Sequence, residues 1–270
     1  MEDWKIINED LTTILHLATF PVAVHFVEDM AKIPEKVKRP VKDLGVRLAP
    51  CQGAAMARKY GFSIAISKED SGCAIASHTY GWKRADMKGV VYFLTTMNYA
   101  LDEEAAKNTF YTLPALGENQ CEAVVYAPLA RSTSDPDVVL LYGNAGQIMR
   151  LIHGSTRRTG QPVKGSFSGR AASCTEGVLG AFLDKAPKVV VPGNGDRVWA
   201  TCQDHEMAMA FPAAFMPELM EGLKKTHATG IRYPVPTFMG YEPKVGLTVP
   251  LSDIFDPAEI DKFTGRRKKQ

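Results

Sequence analysis

The chain has 270 residues and a formal net charge of +2, from 32 basic and 30 acidic residues. Hydrophobic residues make up 45% of it, which is typical of one large globular domain with a full core. A protein dedicated to nucleic acid or to a membrane surface usually carries a basic face or stripe, so the balanced charge predicts neither partner.

The start of the sequence, MEDWKIINEDLTTILHLATF, has early acids and no cationic or long apolar region, so it does not resemble a signal peptide. No run approaches the roughly 18–20 apolar residues of a membrane span. We therefore expect a cytoplasmic protein. Its odd number of cysteines, five, and a reducing compartment both argue against a disulfide framework.

In the first half of the chain, apolar residues at helical spacing predict an amphipathic helix that begins near Trp4 and ends before Pro21. PVAVHFVED alternates like a strand, and a charged loop follows from Met30 to Asp43. APCQGAAMARKYG predicts a helix with Gly61 just after its end. FSIAI is a strand, and Asp102 is expected to cap a short helix.

In the second half, CEAVVYAPL and DVVLLYG are the clearest pair of strands, and NAGQIMRLIHGST predicts the next helix. Residues 188–212 predict a strand, a tight glycine loop, a strand, a turn and a strand, and AAFMPELMEGLKKTH is the last helix. These elements favour an α+β class: a single domain over residues 1–263, with a mixed, largely antiparallel sheet and flanking helices. Residues 264–270 form a basic tail.

The cysteines lack the CxxC and CxxxC spacings of zinc ribbons and ferredoxins, so a cluster requires convergence of separate loops. Cys51 and Cys174 open predicted helices, where the dipole lowers the pKa of a thiol, and Cys73 follows a glycine turn. We predict that these three hold an iron–sulfur cluster. The alternative is that they are buried small hydrophobes, as is expected for Cys121 and Cys202.

Two glycine-rich segments predict an anion site. PGNGDR follows an apolar run, and its successive amides can form an anion-binding nest beside a guanidinium; no helix is expected to open directly after it. GSFSGR places backbone and hydroxyl donors near a helix start. A hairpin turn with a solvated arginine and a flexible loop are the alternatives. The predicted anion ligands are Gly193, Asn194, Gly195, Arg197, Ser168 and Arg170.

Other polar residues give weaker indications of a catalytic or ligand-binding role. His78 lies near Cys73 and is a candidate ligand or proton donor. No GxSxG occurs, which argues against a serine hydrolase of that type. Glu69, Asp70 and the segment Asp204–Glu206 lie in predicted turns, so we expect them to be solvated.

The order of several segments resembles the uncharacterised prokaryotic ArCR family, domain of unknown function number 169. The segments are PVAVHF, APCQGAAMARKYG, SGCAIAS, AVVYAPL with DPDVVLLYG, SGRAASCTEG and PGNGDRVWATCQDHEMAMAFP, which together cover most of the chain. The resemblance implies that Cys51, Cys73 and Cys174 occupy family positions, whereas Cys121 and Cys202 are particular to this chain. It implies no reaction, because the family has no biochemical activity to transfer.

Three hypotheses follow. In the first, an iron–sulfur protein acts in redox or Lewis-acid chemistry on a small anionic metabolite, with a possible electron-transfer partner. In the second, the glycine loops bind a small anion or nucleotide and the cysteines are structural. In the third, Cys51 or Cys174 is the nucleophile of a thiol enzyme.

Overall fold

The computed structural model describes residues 3–132 and 134–236. Nine α-helices and six strands are present in these ranges. The helices are α1 (Trp4–Leu15), α2 (Pro50–Tyr60), α3 (Ala74–Thr79), α4 (Met87–Thr96), α5 (Glu103–Tyr111), α6 (Ala145–Thr156), α7 (Gly180–Asp184), α8 (Asn194–Val198) and α9 (Met216–Ala228). The strands are β1 (Val22–Val27), β2 (Ile64–Ser67), β3 (Ala123–Pro128), β4 (Val138–Gly143), β5 (Lys188–Val190) and β6 (Met207–Pro212). A π-helical segment, Ala172–Leu179, leads directly into α7.

The six strands form one sheet in the order β2-β3-β1-β4-β6-β5, and every neighbouring pair is antiparallel. The predicted α+β class is therefore confirmed. The two strands that the sequence marks most clearly, β3 and β4, are not neighbours, because β1 lies between them and pairs with both. The predicted basic tail, 264–270, lies outside the described residues.

Local sequence explains the ends of the main helices. Asp3 caps α1 by accepting hydrogen bonds from the amides of Lys5 and Ile6. Asp102 caps α5 by accepting from the Ala105 amide at 2.8 Å, as predicted. Gly61 ends α2 with a φ of 73°, a left-handed conformation that glycine adopts without steric cost.

One local prediction was wrong. The glycine loop PGNGDR does not lead into a strand, because α8 opens at Asn194 directly after Gly193. The reason is a cap: Asp196, the third residue of α8, turns back and accepts a hydrogen bond from the Gly193 amide at 3.0 Å. A short helix thus replaces the expected hairpin.

The sheet separates two layers of helices. Its first face, which carries Val24 and Tyr126, is covered by α2, α3 and the π-helical segment. Its second face, which carries Leu141 and Phe211, is covered by α1, α6 and α9. Alternation of side chains along each strand produces this division.

A bilayer-crossing helix is not found within 3–132 and 134–236: no helix there combines the required length with sufficient hydrophobicity.

Candidate functional site

The three cysteines predicted as ligands lie in the first turns of three helical segments. Cys51 is the second residue of α2, Cys73 caps α3, and Cys174 is the third residue of the π-helical segment. Both α2 and α3 pack against the π-helical segment above the first face of the sheet. The fold therefore brings together residues that are far apart in sequence.

The pKa values of two of these thiols, Cys51 and Cys174, respond to neighbouring charges. Burial raises the pKa of Cys51 to about 12, and Asp196 and Cys73 add to that effect. Burial also raises the pKa of Cys174 well above its usual range, with further contributions from Cys51, Asp196 and Cys73. Cys51, Cys73, Cys174 and Asp196 thus form one group, which we call the thiol cluster.

Donors from the helix starts lie beside the sulfurs. The Ala76 amide donates to Cys73 Sγ at 3.5 Å, and the amides of Cys51 and Gln52 lower the pKa of Cys51, against the larger effect of burial. Such hydrogen bonds stabilise a thiolate. The high pKa values of Cys51 and Cys174 nevertheless keep these thiols protonated at neutral pH, which argues against either one as an isolated nucleophile.

Asp196 connects the glycine loops to the cysteines. Its carboxylate accepts hydrogen bonds from the Gly193 amide, the Ser173 amide at 3.4 Å and the Ser173 hydroxyl. The side chain is only 3% exposed, and burial raises its pKa above the usual value. The carboxylate therefore occupies a position where an anion was expected to bind.

The two glycine segments contact each other directly. The Asn194 amide donates to the Gly169 carbonyl at 3.3 Å, and a Cβ on Gly193 would lie 2.6 Å from that same oxygen. Gly195 meets no such constraint, since its nearest neighbour is the Trp199 ring at 3.9 Å. The close approach requires glycine at position 193 and places both predicted anion loops beside Asp196.

The polar side chains of these loops bind groups of the protein. Arg197 Nη1 donates to the Gln203 carbonyl, and the Ser168 hydroxyl accepts from the Arg170 amide at 3.3 Å. The Arg170 guanidinium donates to Thr109 Oγ1 at 2.8 Å and to the Tyr99 carbonyl. Binding of an anion by Arg170 or Arg197 stays a prediction, and it would compete with these contacts.

Two tyrosines lie beneath the thiol cluster. The fully buried hydroxyls of Tyr80 and Tyr126 lie 3.1 Å apart, and Tyr80 donates to the Cys174 carbonyl at 2.9 Å. Because a carbonyl only accepts, the single Tyr80 proton goes to Cys174, and Tyr126 must donate to Tyr80. This chain of bonds fixes the backbone at Cys174.

A buried ion pair lies near Asp196, where the charge of Arg58 opposes the larger effect of burial on the pKa of that carboxyl. Arg58 donates to both carboxylate oxygens of Glu206, at 2.6 and 3.0 Å, and its guanidinium lies 4.0 Å from the centre of the Tyr142 ring. Burial alone would raise the pKa of Glu206, but the hydrogen bonds from Arg58 lower it to about 2. The expectation that Glu206 is solvated was wrong.

Asp70 is also buried, where Arg39, Ser67 and the Val41 amide bind it.

The remaining candidates have other surroundings, although the Cys202 amide donates to the Asp196 carbonyl at 3.0 Å. Cys121 and Cys202 belong to the hydrophobic core on the first face, and Cys121 Sγ donates to the Ala123 carbonyl at 3.0 Å. His78 accepts from the Ala85 amide at 3.3 Å, and its ring lies against Phe110. Among the described residues, no three His, Cys, Asp or Glu side chains form a group that could hold a metal ion.

The sequence singles out the three cysteines, whose role as ligands stays a prediction, but it does not indicate the polar groups around them. Tyr80, Tyr126, Arg58 and Glu206 carry no local motif, and Glu206 reaches Arg58 across 148 positions of sequence. Asp196 offered one signal: an acid three residues after Gly193 is the pattern of a helix cap.

Comparison with known proteins identifies the family. The model of the family described as Uncharacterised ArCR, DUF169, matches residues 10–222. The chain belongs to this family. It is also 31% identical over 123 residues to the uncharacterized protein MJ0308 of Methanocaldococcus jannaschii. That match covers 46% of this chain and 52% of the relative, so it spans about half the length of each. No solved structure matches the chain.

Proposed function

We propose that this ArCR protein is a metallocofactor protein in which Cys51, Cys73 and Cys174 hold an iron–sulfur cluster. The observation that supports the proposal is that three partly buried cysteines lie at the starts of helical segments that pack together, α2 and α3 each against the π-helical segment. Free cysteines are commonly buried one at a time as small hydrophobes, but such burial does not require three of them to meet.

The chemistry of the donor set fits this role. Thiolates are the usual ligands of iron–sulfur clusters, and backbone amides beside the sulfurs adjust a cluster's reduction potential. Burial raises the pKa values of Cys51 and Cys174, and the charges of neighbouring thiols and of Asp196 add to that effect, which is the electrostatic environment that a bound cation would relieve. Among the described residues, no three His, Cys, Asp or Glu side chains are placed to bind a single metal ion. A polynuclear cluster separates its thiolates more widely than one ion does, and the sulfurs would rotate to meet it.

A cluster held by three cysteines supplies an iron with an open position, which serves redox or Lewis-acid chemistry on a small anionic metabolite. The chain's own groups have separate parts in this arrangement. Asp196 and the Gly193 loop border the site, while Tyr80 and Tyr126 fix its wall. We infer a cytoplasmic location, where reducing conditions keep the five unpaired cysteines as thiols.

Anaerobic reconstitution with iron and sulfide tests the proposal. The full chain should become brown and bind iron and sulfide in comparable amounts. Cys51→Ser, Cys73→Ser and Cys174→Ser should each lose the colour and most of the iron, and loading should improve with pH because metal binding releases thiol protons.

Cys121→Ser is the matched control, since it removes a buried thiol that bonds to the Ala123 carbonyl, and it should load like the wild type. If all four serine variants load equally, or if the wild type binds no iron, the cysteines are structural. The second hypothesis, an anion-binding module, would then be the better one.

A further inference from the structure

The helices α4 and α5 form a pair that stands apart from the two main cores. They pack mainly on each other, and the fully buried part of their contact consists of Leu94, Ala100 and Ala106. One leucine and two alanines bury little apolar surface, and helices of ten and nine residues are marginally stable without tertiary packing. The core of this helix pair is therefore small for the two helices that it holds together.

The outer face of α4 is apolar. Tyr92, Phe93 and Met97 lie on one stripe at helical spacing, and they are 72%, 52% and 55% exposed. The residues after α4 extend this stripe: the Tyr99 ring centre lies 6.5 Å from that of Phe93, and Leu101 is 93% exposed. We call these five residues the α4 surface.

The α4 surface is large enough to form the centre of a protein–protein interface. An aromatic side chain carries about 150–250 Å² of surface, so five large side chains exposed to this degree present several hundred Å². One partner of a stable complex contributes about 800 Å². No charged residue occurs from Gly89 to Leu101, and a monomer rarely exposes so large an apolar patch.

The two ends of the α4 surface carry a small excess of opposite charge. Around its start, three cations and two acids leave one positive charge: Lys83, Arg84 and Lys88 against Asp86 and Glu118, which binds Arg84. Around its end, three acids and two cations leave one negative charge: Asp102, Glu103 and Glu104 against Lys107 and Arg170, which donates to the Tyr99 carbonyl.

This distribution is complementary to itself. Two copies related by a two-fold axis, with their α4 helices antiparallel, bring the positive end of each surface to the negative end of the other. A helix that lies on a membrane usually carries Lys and Arg along its polar face, whereas acids follow α4. The observations thus favour a second copy of the chain over a lipid surface.

We propose that the α4 surface is the interface of a homodimer, in which α4 and α5 of two chains pack as four helices around a shared apolar core. The second copy supplies the packing that the small core of Leu94, Ala100 and Ala106 does not. This interface is a property of the chain beyond the proposed iron–sulfur centre and does not depend on it.

Sedimentation equilibrium of the full chain tests the proposal. With rising concentration, the wild type should reach twice the mass of one chain. Tyr92→Glu/Met97→Glu places four carboxylates in the shared core, because each substitution occurs twice, and should raise the dissociation constant at least about 100-fold. Tyr60→Glu is the matched control, since Tyr60 is 62% exposed at the end of α2, and it should associate like the wild type.

Leu101→Glu is a second variant that should leave the folded chain intact, because a side chain 93% exposed has few contacts to lose. It should raise the dissociation constant about tenfold while the circular dichroism spectrum stays unchanged. In methyl NMR, the Met97 resonance should shift with protein concentration, whereas that of the fully buried Met209 should not.

Cys51→Ser should dimerise like the wild type, which separates this proposal from that of the iron–sulfur centre. The proposal is overturned if the wild type is a monomer up to about 100 μM, a concentration at which even a micromolar complex is mostly formed. It is also overturned if the glutamate variants associate as tightly as the wild type, or if a monomer binds anionic phospholipid vesicles through Tyr92 and Met97.

Discussion

The two faces of the sheet bury polar groups in different ways. On the first face, Arg58, Glu206 and Asp196 bind mainly to one another's side chains or to neighbouring loops, around the thiols. On the second face, Gln147 donates to the Leu15 and His16 carbonyls, and Arg150 donates to the Leu223 carbonyl, so these side chains tie helix to helix. The second face thus binds its buried polar side chains to helix backbone, whereas the first face pairs a buried cation with a carboxylate.

The largest expected effect comes from the ion pair on the first face. Arg58→Ala leaves Glu206 buried without its partner, and breaking such a pair costs about 3–5 kcal/mol in the free energy of unfolding. Urea denaturation measures this change. Replacing both residues, as Arg58→Met with Glu206→Leu, should recover most of the loss, because the penalty is that of an unpaired charge. A double variant as unstable as the single one would contradict this interpretation.

The same pair makes stability depend on pH. The pKa of Glu206 is about 2 in the folded protein against a usual 4.5, so the unfolded chain takes up the proton first as pH falls. The pair's contribution is therefore complete above about pH 4.5 and is lost as pH falls toward 2. Urea denaturation of the wild type and of the double variant over this range should converge at low pH.

The second face should be most sensitive where α6 and α9 cross. A Cβ on Gly222 would lie 2.1 Å from the Gly154 carbonyl oxygen, so Gly222→Ala must push the helices apart. We expect a loss of about 1–3 kcal/mol, the usual cost of overpacking a core. Gly195→Ala, with its nearest contact at 3.9 Å, is the control and should change stability little. Iron loading should be unchanged in Gly222→Ala if the two faces act separately.

Much of the fold was predictable because its signals are local. Asp102 and Gly61 mark helix ends through chemistry that acts within a few residues, and β1, β3 and β4 are long apolar runs. The order of the strands was not predictable, since β1 lies between β3 and β4 through contacts across the whole chain. The helix α8 was missed because its cap depends on the conformation of Asp196 rather than on a run of apolar residues.

The residues of the candidate site were likewise predictable only where their signal is local. Cys51 and Cys174 stood out because helix starts have a recognisable local sequence. Arg58 and Glu206 did not, because a charged residue in a helix or turn is usually solvated, and only the assembled fold shows that these two meet. Convergence of the thiols likewise required the packing of α2 and α3 on the π-helical segment.

Asp196 allows a test of the thiol cluster without removing a thiol. Burial is the largest cause of the raised pKa values of Cys51 and Cys174, and the charge of Asp196 raises both further. Asp196→Asn keeps an acceptor for the Gly193 amide but removes the charge. Alkylation of Cys51 at pH 8 should then be about threefold faster, because a larger fraction of the thiol is ionised. Mass spectrometry of the alkylated peptide measures the rate, and the exposed Asp204→Asn should leave it unchanged.

The smallest effect concerns α4 and α5, which belong to neither face. These helices bury a cluster of their own, Leu94, Ala100 and Ala106, separate from the two main cores. Arg170 links them to the loop beside the thiol cluster through Thr109 and the Tyr99 carbonyl. Because the loss of such bonds costs about 1 kcal/mol, Arg170→Ala should loosen this region without unfolding the sheet.

Hydrogen exchange distinguishes local from global opening. In Arg170→Ala, the amides of residues 87–111 should exchange faster, while those of β1, β4 and β6 should keep the wild-type rates. Arg157→Ala removes an exposed salt bridge to Glu221 and should change neither set. Equal acceleration in the strands would mean that α4 and α5 unfold only together with the sheet. These two helices would then belong to the same cooperative unit as the sheet and would not open independently beside the thiols.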